Sequence, residues 1–357
     1  MQTTNDLIRD LEIRHQVAVQ RLSSGVLRRL IRILDEADAE IVEKLRRRGA
    51  VLEGSFTSER LAALLEAIRV INHDAHVIVG RELRTELREI ARYEADHQVK
   101  LLQSAVPVRL HIVSPAVELL DAAVTSQPFQ GRLLKEWVSE LDGAKTRRLR
   151  DAIRLGVVQG ETVDQIVRRV RGSKAQNYAD GVMQIGRRGA EAMVRTAVAH
   201  TTSAAREKLY EANTDIIASE QWVATLDTRT CKHCMALDGE KFEVGKGTKT
   251  PAHIGCRCVR VPVVKGWREL GFNFDEIAPS TRASMNGQVS ATETYDTWLR
   301  KQPAGVQDEA LGPTRGKLFR KGEVKIDAFT NRQGDELTLD QLRRIDREAF
   351  ERAGLAA

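Results

Sequence analysis

Along the first hundred residues apolar side chains recur every three or four positions. Leu22, Val26, Leu30, Ile33, Ala37, Ile41 and Leu45 form one run, with Arg28, Arg29, Arg32, Asp35 and Glu36 between them. That spacing predicts one side of a long helix. The stretch RRRGAVLEGS interrupts the pattern, and Gly49 and Gly54 read as stop signals. A second run, Leu61, Leu64, Ile68, Ile71, Ala75, Ile78, Leu83, Leu87 and Ile90, predicts another long helix that starts near Thr57, where TSER supplies a cap. Two amphipathic helices joined by a short turn pack as an antiparallel pair. Such a pair serves as a plain scaffold or as an arm that docks on partner subunits.

SAVPVRLHIVSP carries two prolines and a β-branched run, which predicts a hinge or short strand. From Pro115 to Arg206 the helical period returns in shorter pieces, punctuated by Gly143, Gly156, Gly160 and Gly172. QGETVDQIVRRV reads as a small helix opened by Thr162, with Val163, Ile166, Val167 and Val170 toward a core. After Ile217 the period becomes two: QWVATLD and CVRVPVV alternate as strands do. STRASMNGQVSATET is small and polar and reads as a loop, and LTLDQLRRI predicts a late helix capped through Thr338 or Asp340. The expected fold is α+β and mainly α. Its expected parts are a helical hairpin arm (1–105), a basic helical domain (106–215), a small β-rich Cys/His module (216–268) and a mixed C-terminal segment (269–357).

Composition narrows the function classes. The 357 residues are 42% hydrophobic, 30% charged and only 4% aromatic, which suits helical cores of Leu, Ile, Val and Ala. No apolar run reaches the roughly 20 residues of a membrane span. The N-terminus lacks a basic stretch followed by an apolar one, so no secretory signal peptide is expected and assembly in a cytosol is. The net charge of +6 is unevenly placed. Lys145 to Arg195 holds twelve basic residues against five acidic ones, an excess larger than that of the whole chain. Arg147, Arg148, Arg150, Arg168, Arg169, Arg171, Lys174, Arg187 and Arg188 are therefore candidates for phosphate or partner contact. Tyr178 is the one aromatic residue in that segment, so stacking on single strands has little to work with.

All four cysteines fall between Cys231 and Cys258, as C-x-x-C and C-x-C, with His253 three residues before Cys256. In a reducing compartment such clusters are metal ligands or redox groups rather than disulfides. C-x-x-C puts two thiolates on one turn, and side chains two apart on an extended strand share a face. Cys231, Cys234, His253, Cys256 and Cys258 thus compete for the four positions of a tetrahedral ion. A reduced cluster packed against Trp222 and a thiol redox centre are the alternatives; the latter lacks the usual βαβ context. His233, inside the turn, is expected to face solvent. A catalytic metal would need an open position and a carboxylate base such as Asp227 or Asp238. No H-x-E or H-E-x-x-H pattern appears, so a closed structural site is favoured over a metal-dependent hydrolase or nuclease.

WVATLDTRTCKHCMALDGEKF followed by TPAHIGCRCVRVPVV closely resembles the phage Mu F-like minor head proteins, the phage head morphogenesis family. The matching positions are Trp222, Asp227, Thr230, Cys231, Cys234, Leu237, Gly239, Pro251, His253, Cys256, Arg257 and Cys258. Upstream, GVVQGETVDQIVRRV and the helix with Arg195, Thr196 and Arg206 are similar as well, and so is the tail LGPTRGKLFRKGEVKI. Thr250-Pro251-Ala252 departs from the family, where a second proline often precedes the histidine. The resemblance implies a minor component of a tailed phage head. It would assemble in the host cytoplasm and reside at the portal vertex or head interior, with no established catalytic activity. Expected partners are the portal protein, scaffold or major capsid protein, and phage double-stranded DNA without sequence preference. The expected cofactor is a structural zinc, inferred from the cysteine and histidine chemistry.

Overall fold

A computed structural model describes residues 3–54, 57–106, 110–272, 281–290, 292–331 and 333–355. In chain order, six helices come first: α1 (Thr4–Gly54), α2 (Ser58–Ala105), α3 (Val117–Thr125), α4 (Leu134–Val158), α5 (Val163–Arg171) and α6 (Val182–Glu211). They are followed by β1 (Ile217–Val223), α7 (Lys232–Ala236), β2 (Lys241–Phe242), β3 (Val259–Val264), β4 (Thr281–Ser284) and β5 (Gly287–Ser290). Five short helices close the chain: α8 (Tyr295–Arg300), α9 (Ala304–Leu311), α10 (Pro313–Lys321), α11 (Leu339–Ile345) and α12 (Arg347–Arg352). The fold is mainly α with small antiparallel sheets, as its periodicity predicts.

The chain divides into two compact units. One is built from residues 19–93 and 116–202, the other from 1–18, 94–115 and 203–357. In the first, Ile41, Val42 and Leu45 of α1 meet Leu64 and Ile68 of α2, and Leu149, Ile153, Ile166, Val167, Val170 and Met183 complete the core. Burying that many aliphatic side chains, each worth about 1.5–3 kcal/mol, holds the bundle together. A polar pair is embedded in it: the Lys145 ammonium, 3% exposed, reaches Asp38 at 2.6 Å. Thr162 caps α5 as expected, accepting from the Gln165 amide while the Gln165 side chain accepts from the Thr162 amide. Thr162→Ala should cost about 1 kcal/mol. Faster hydrogen exchange of the α5 amides would register it; unchanged exchange would deny the cap any role.

Several expected breaks are absent. Gly49 lies inside α1, which continues to Gly54, and Gly143 and Gly156 lie inside α4. Gly156 serves close approach instead, because a Cβ there would come within 2.6 Å of Ile166 on α5. Of the expected hinge or strand in SAVPVRLHIVSP, residues 110–115 carry no regular structure, and 107–109 lie outside the described residues. The expected polar loop at 280–294 is, over 281–290, the β4–β5 hairpin, with Ser284 opposite Gly287. Asn286-Gly287, a strong turn signal, explains it, since Gly287 takes φ 105°. Ser280 and Ala291 lie outside the described residues.

In the second unit Ile8 of α1 packs on Leu101, Leu102 and Ala105 of α2, on Leu209 and Tyr210 of α6, and on Ile216, Ile217 and Val264. The strands form a sheet in the order β2-β1-β3, with Trp222 opposite Arg260. Nearly all of β3 is buried, Arg260 included, because its guanidinium pairs with Glu220 of β1 at 2.8 Å and lies over the Phe242 ring. Beneath this core sits an ionic network. Arg206, 3% exposed, donates from Nε to Glu94 at 2.5 Å and stands 3.6 Å from Glu12, both fully buried. His15 meets the other oxygen of Glu94 at 2.7 Å, and its ring stacks on His97 with 3.6 Å between centroids. The residues come from two E-x-x-H pairs, 12/15 and 94/97, that helical spacing sets on one face of each helix.

Candidate metal centre

Cys231 caps α7, where its sulfur accepts from the Cys234 amide at 3.4 Å, so the C-x-x-C stretch is the first turn of a short helix. The segment that follows passes Gly239, whose φ of 90° suits glycine, while its amide binds the Trp222 carbonyl at 2.9 Å. It returns through Thr250-Pro251, a cis bond, to His253 and the C-x-C that opens β3. All five candidate ligands therefore meet. The cysteines are free thiols, not disulfides.

Their donor atoms form two triads that share Cys234: Cys231, Cys234, His253 and Cys234, Cys256, Cys258. His253 Nε2 lies 3.2 Å from the Cys231 sulfur and 3.5 Å from that of Cys234, and the Cys234 and Cys256 sulfurs are 3.8 Å apart. A tetrahedral ion with zinc-sulfur bonds of about 2.3 Å and a zinc-nitrogen bond of about 2.0–2.1 Å has edges of about 3.5–3.8 Å. The donors fit such an ion in chemistry, and each triad offers three of its corners, while no four of them lie within 4.8 Å of one another among the described residues. His253 Nδ1 sits 3.0 Å from the Ile254 carbonyl, an outer contact of the kind that leaves Nε2 free for a metal.

Packed together without an ion, these groups share protons unequally. Hydrogen bonds with Cys234, then with His253, bring the Cys231 thiol down to about 4. Cys256 is lowered as well, by Cys234 first and Cys258 second. Cys234 is raised, mainly by its bonds to Cys231 and Cys256. For Cys258 the bond with Cys234 pulls downward, and Cys256 and burial outweigh it, so its thiol stays protonated. Contact with Cys231 and then Cys256 lifts His253 to about 11. An ion bound here displaces these protons, which couples its affinity to pH.

The surrounding motif residues flank the site and tie its segments together. Asp227 takes both terminal nitrogens of Arg257, one at 2.8 Å, and so ties the C-x-x-C loop to the C-R-C turn. Burial alone would raise the Asp227 carboxyl; Arg257, the Arg229 amide and the Thr230 hydroxyl hold it below the usual range. Thr230 also donates to the Thr225 carbonyl at 2.6 Å. Asp238 is enclosed by two nitrogens of Arg282 at 2.9 and 3.1 Å and by the amides of Ala224 and Tyr295, each at 2.7 Å. Both carboxylates that a hydrolytic reading would use as a base are thus committed to arginines. Trp222, Trp298, Phe319, Phe329 and Phe350 belong to the same core as Cys234, Cys256 and Cys258. His233 differs from its expected place: it is half-buried, so close to Gly334 that a Cβ there would stand 2.1 Å from its Nδ1. It belongs to neither triad.

Sequence reasoning missed the C-terminal contribution. Arg282 on β4 and the α8–α12 aromatics build the wall, and their signal was the run Tyr295, Trp298, Phe319, Phe329, Phe350 in an aromatic-poor chain.

The basic candidates lie in the helical unit. Arg150 pairs with Asp151, Arg169 with Glu161 and Arg187 with Asp35. Arg147, Arg148, Arg168, Arg171, Lys174 and Arg188 are exposed and have no ion pair among the described residues. Arg195 holds Glu191 and Ser24, and buried Thr196 donates to the Ala192 carbonyl, so both are positioned within α6. Among the described residues no helix is long and apolar enough to cross a membrane.

Residues 147–261 match the family model described as Phage Mu protein F like protein. No curated protein and no solved structure matches the chain. Over that span, which holds all four cysteines and His253, the chain is similar to the phage Mu F-like proteins.

Proposed function

We propose that the protein is a minor head component of a tailed bacteriophage, acting in head morphogenesis at the portal vertex and carrying a structural zinc. The observation that carries this reading is that the span similar to the phage Mu F-like proteins encloses a thiol and imidazole cluster, half-buried at Cys231 and His253 and buried at the other cysteines, whose neighbouring carboxylates are held by arginines. Cys231, Cys234, His253 and Cys256 would hold the ion, with Cys258 as a neighbouring thiol. Zinc there would cross-link the α7 turn, the 243–258 segment and the start of β3, in a site closed to substrate. The exposed arginines of the helical unit support sequence-independent contact with phage double-stranded DNA through phosphate. Portal protein, and scaffold or capsid protein, are the protein partners in this reading. Assembly would take place in the host cytoplasm, and the final location would be the head interior or its portal vertex.

Quantitative mass spectrometry of purified particles, before and after triggered DNA release, tests the proposal against portal peptides as an internal count. The protein should be present in proheads and virions at a few copies per portal ring. Its absence from both would sink the head-component reading.

A further inference from the structure

A groove of about 900 Å³ lies in the helical unit, walled by α1, the loop after α5 and the start of α6. Its lining looks charge-balanced, with Asp35, Asp38 and Glu43 against Arg46, Arg171 and Arg187. The carboxylates, however, already have partners: Asp35 meets Arg187 at 2.9 Å, Asp38 meets the buried Lys145 at 2.6 Å, and Glu43 meets Arg47 at 2.5 Å. Two guanidiniums remain, Arg46 and Arg171, with no ion pair among the described residues. The groove is therefore electropositive where a ligand would enter. Tyr178 lines the same wall, with the Arg171 guanidinium 4.8 Å from its ring centroid.

The loop that carries this ring is held in an uncommon conformation. Asn177 and Tyr178 take φ of 49° and 61°, a left-handed pair without glycine. The Tyr178 amide bonds to the Ser173 carbonyl at 2.8 Å, and Asp180 accepts from the Ser173 amide at 2.8 Å, which fixes the turn. Strain of this kind gathers at ligand clamps. A cavity of this size, two unpaired guanidiniums suited to phosphate oxygens and one aromatic ring suited to one base form a coherent set.

The geometry points to a nucleotide site: Arg46 and Arg171 take a phosphate, and Tyr178 takes the adjoining base. One ring serves one base, so the ligand is a free nucleotide or the unpaired end of a DNA strand, not a stacked tract. This deepens the DNA reading of the basic segment and rests on it.

The test uses the full chain at low salt with five probes: 5′-dAMP, inorganic phosphate, a short oligo-dA strand, an aspartate-rich peptide, and a duplex closed by hairpins at both ends. Binding of dAMP and of oligo-dA should weaken about tenfold in Arg171→Gln, Arg46→Gln and Tyr178→Leu, and Tyr178→Phe should retain it. Oligo-dA binding tighter than dAMP would assign the site to strand ends; the reverse would assign it to free nucleotide. The closed duplex should bind all variants nearly equally, through Arg147, Arg148, Arg168 and Arg188. No binding of dAMP or oligo-dA, equal binding to Tyr178→Leu, or phosphate or peptide binding as tight as dAMP would overturn the nucleotide site. Loss of closed-duplex binding by the unaltered chain would instead remove the general DNA reading.

Discussion

Cys234→Ser is expected to lose the bound metal and to unfold the β1–β3 region at a temperature where the parent is intact. Cys234 is the one residue common to both triads, so neither triad survives its loss. Serine replaces a soft thiolate by a hydroxyl that does not ionise near neutral pH, which removes a bond rather than lengthening one. An ion present at about a thousand times its dissociation constant adds about 4 kcal/mol to the folded state, and that contribution should vanish in the variant. Chelator should mimic the substitution in the parent and leave the variant unmoved. His253→Asn should also release the ion, and Cys258→Ser should keep it, because only the His253 ring nitrogen sits at a tetrahedral edge from two sulfurs with its other nitrogen anchored. Metal content by elemental analysis and melting by calorimetry decide the matter. Metal-free parent protein after purification in zinc, with cysteine variants melting like the parent, would defeat the zinc proposal.

Arg206→Met should be the most damaging substitution outside the metal centre. Methionine fills the volume but leaves Glu12 and Glu94 facing each other in a dry interior, where breaking a buried pair costs about 3–5 kcal/mol. The pH dependence gives this a sharper form. Burial alone would raise the Glu94 carboxyl, yet Arg206 and then His15 bring it down to about 2. The stability it contributes is therefore present above its unfolded value of 4.5 and is lost as pH falls from there through about 2. Glu12, dominated by burial, is raised instead. Without the guanidinium both carboxyls are raised, and a raised group stabilises below its unfolded value and loses that stability as pH rises. The deficit of the variant should be largest above pH 4.5 and should narrow on acidification. Urea midpoints across that range measure it; a constant deficit would mean that packing, not charge, is what Arg206 supplies.

How much of this was legible beforehand follows from range. The long helices, the Thr162 and Thr338 caps and the strands at 221–223 and 259–264 depend on neighbours within a few residues, and periodicity with capping chemistry expresses those directly. The hairpin at 281–290 was equally local; its Asn-Gly signal was outweighed by the polar, small-residue character of the flanks. Gly49, Gly143 and Gly156 misled because a helix interior tolerates glycine when the surrounding packing outweighs a propensity cost of about 1 kcal/mol.

For the candidate site, short spacing named the five donors, since C-x-x-C and C-x-C constrain their own sulfurs before any fold exists. The amino-acid order thus settled the helical class, the two strand segments, the ligand candidates and the family resemblance, all of which rest on local chemistry. Folding alone decided that Cys234 is shared between two triads, that Asp227 and Asp238 are held by Arg257 and Arg282, and that late aromatics wall the cluster. Folding also decided that Arg206 binds a carboxylate 112 positions away. Contacts across such separations are set by how whole elements pack, and no residue's neighbours in sequence carry that information.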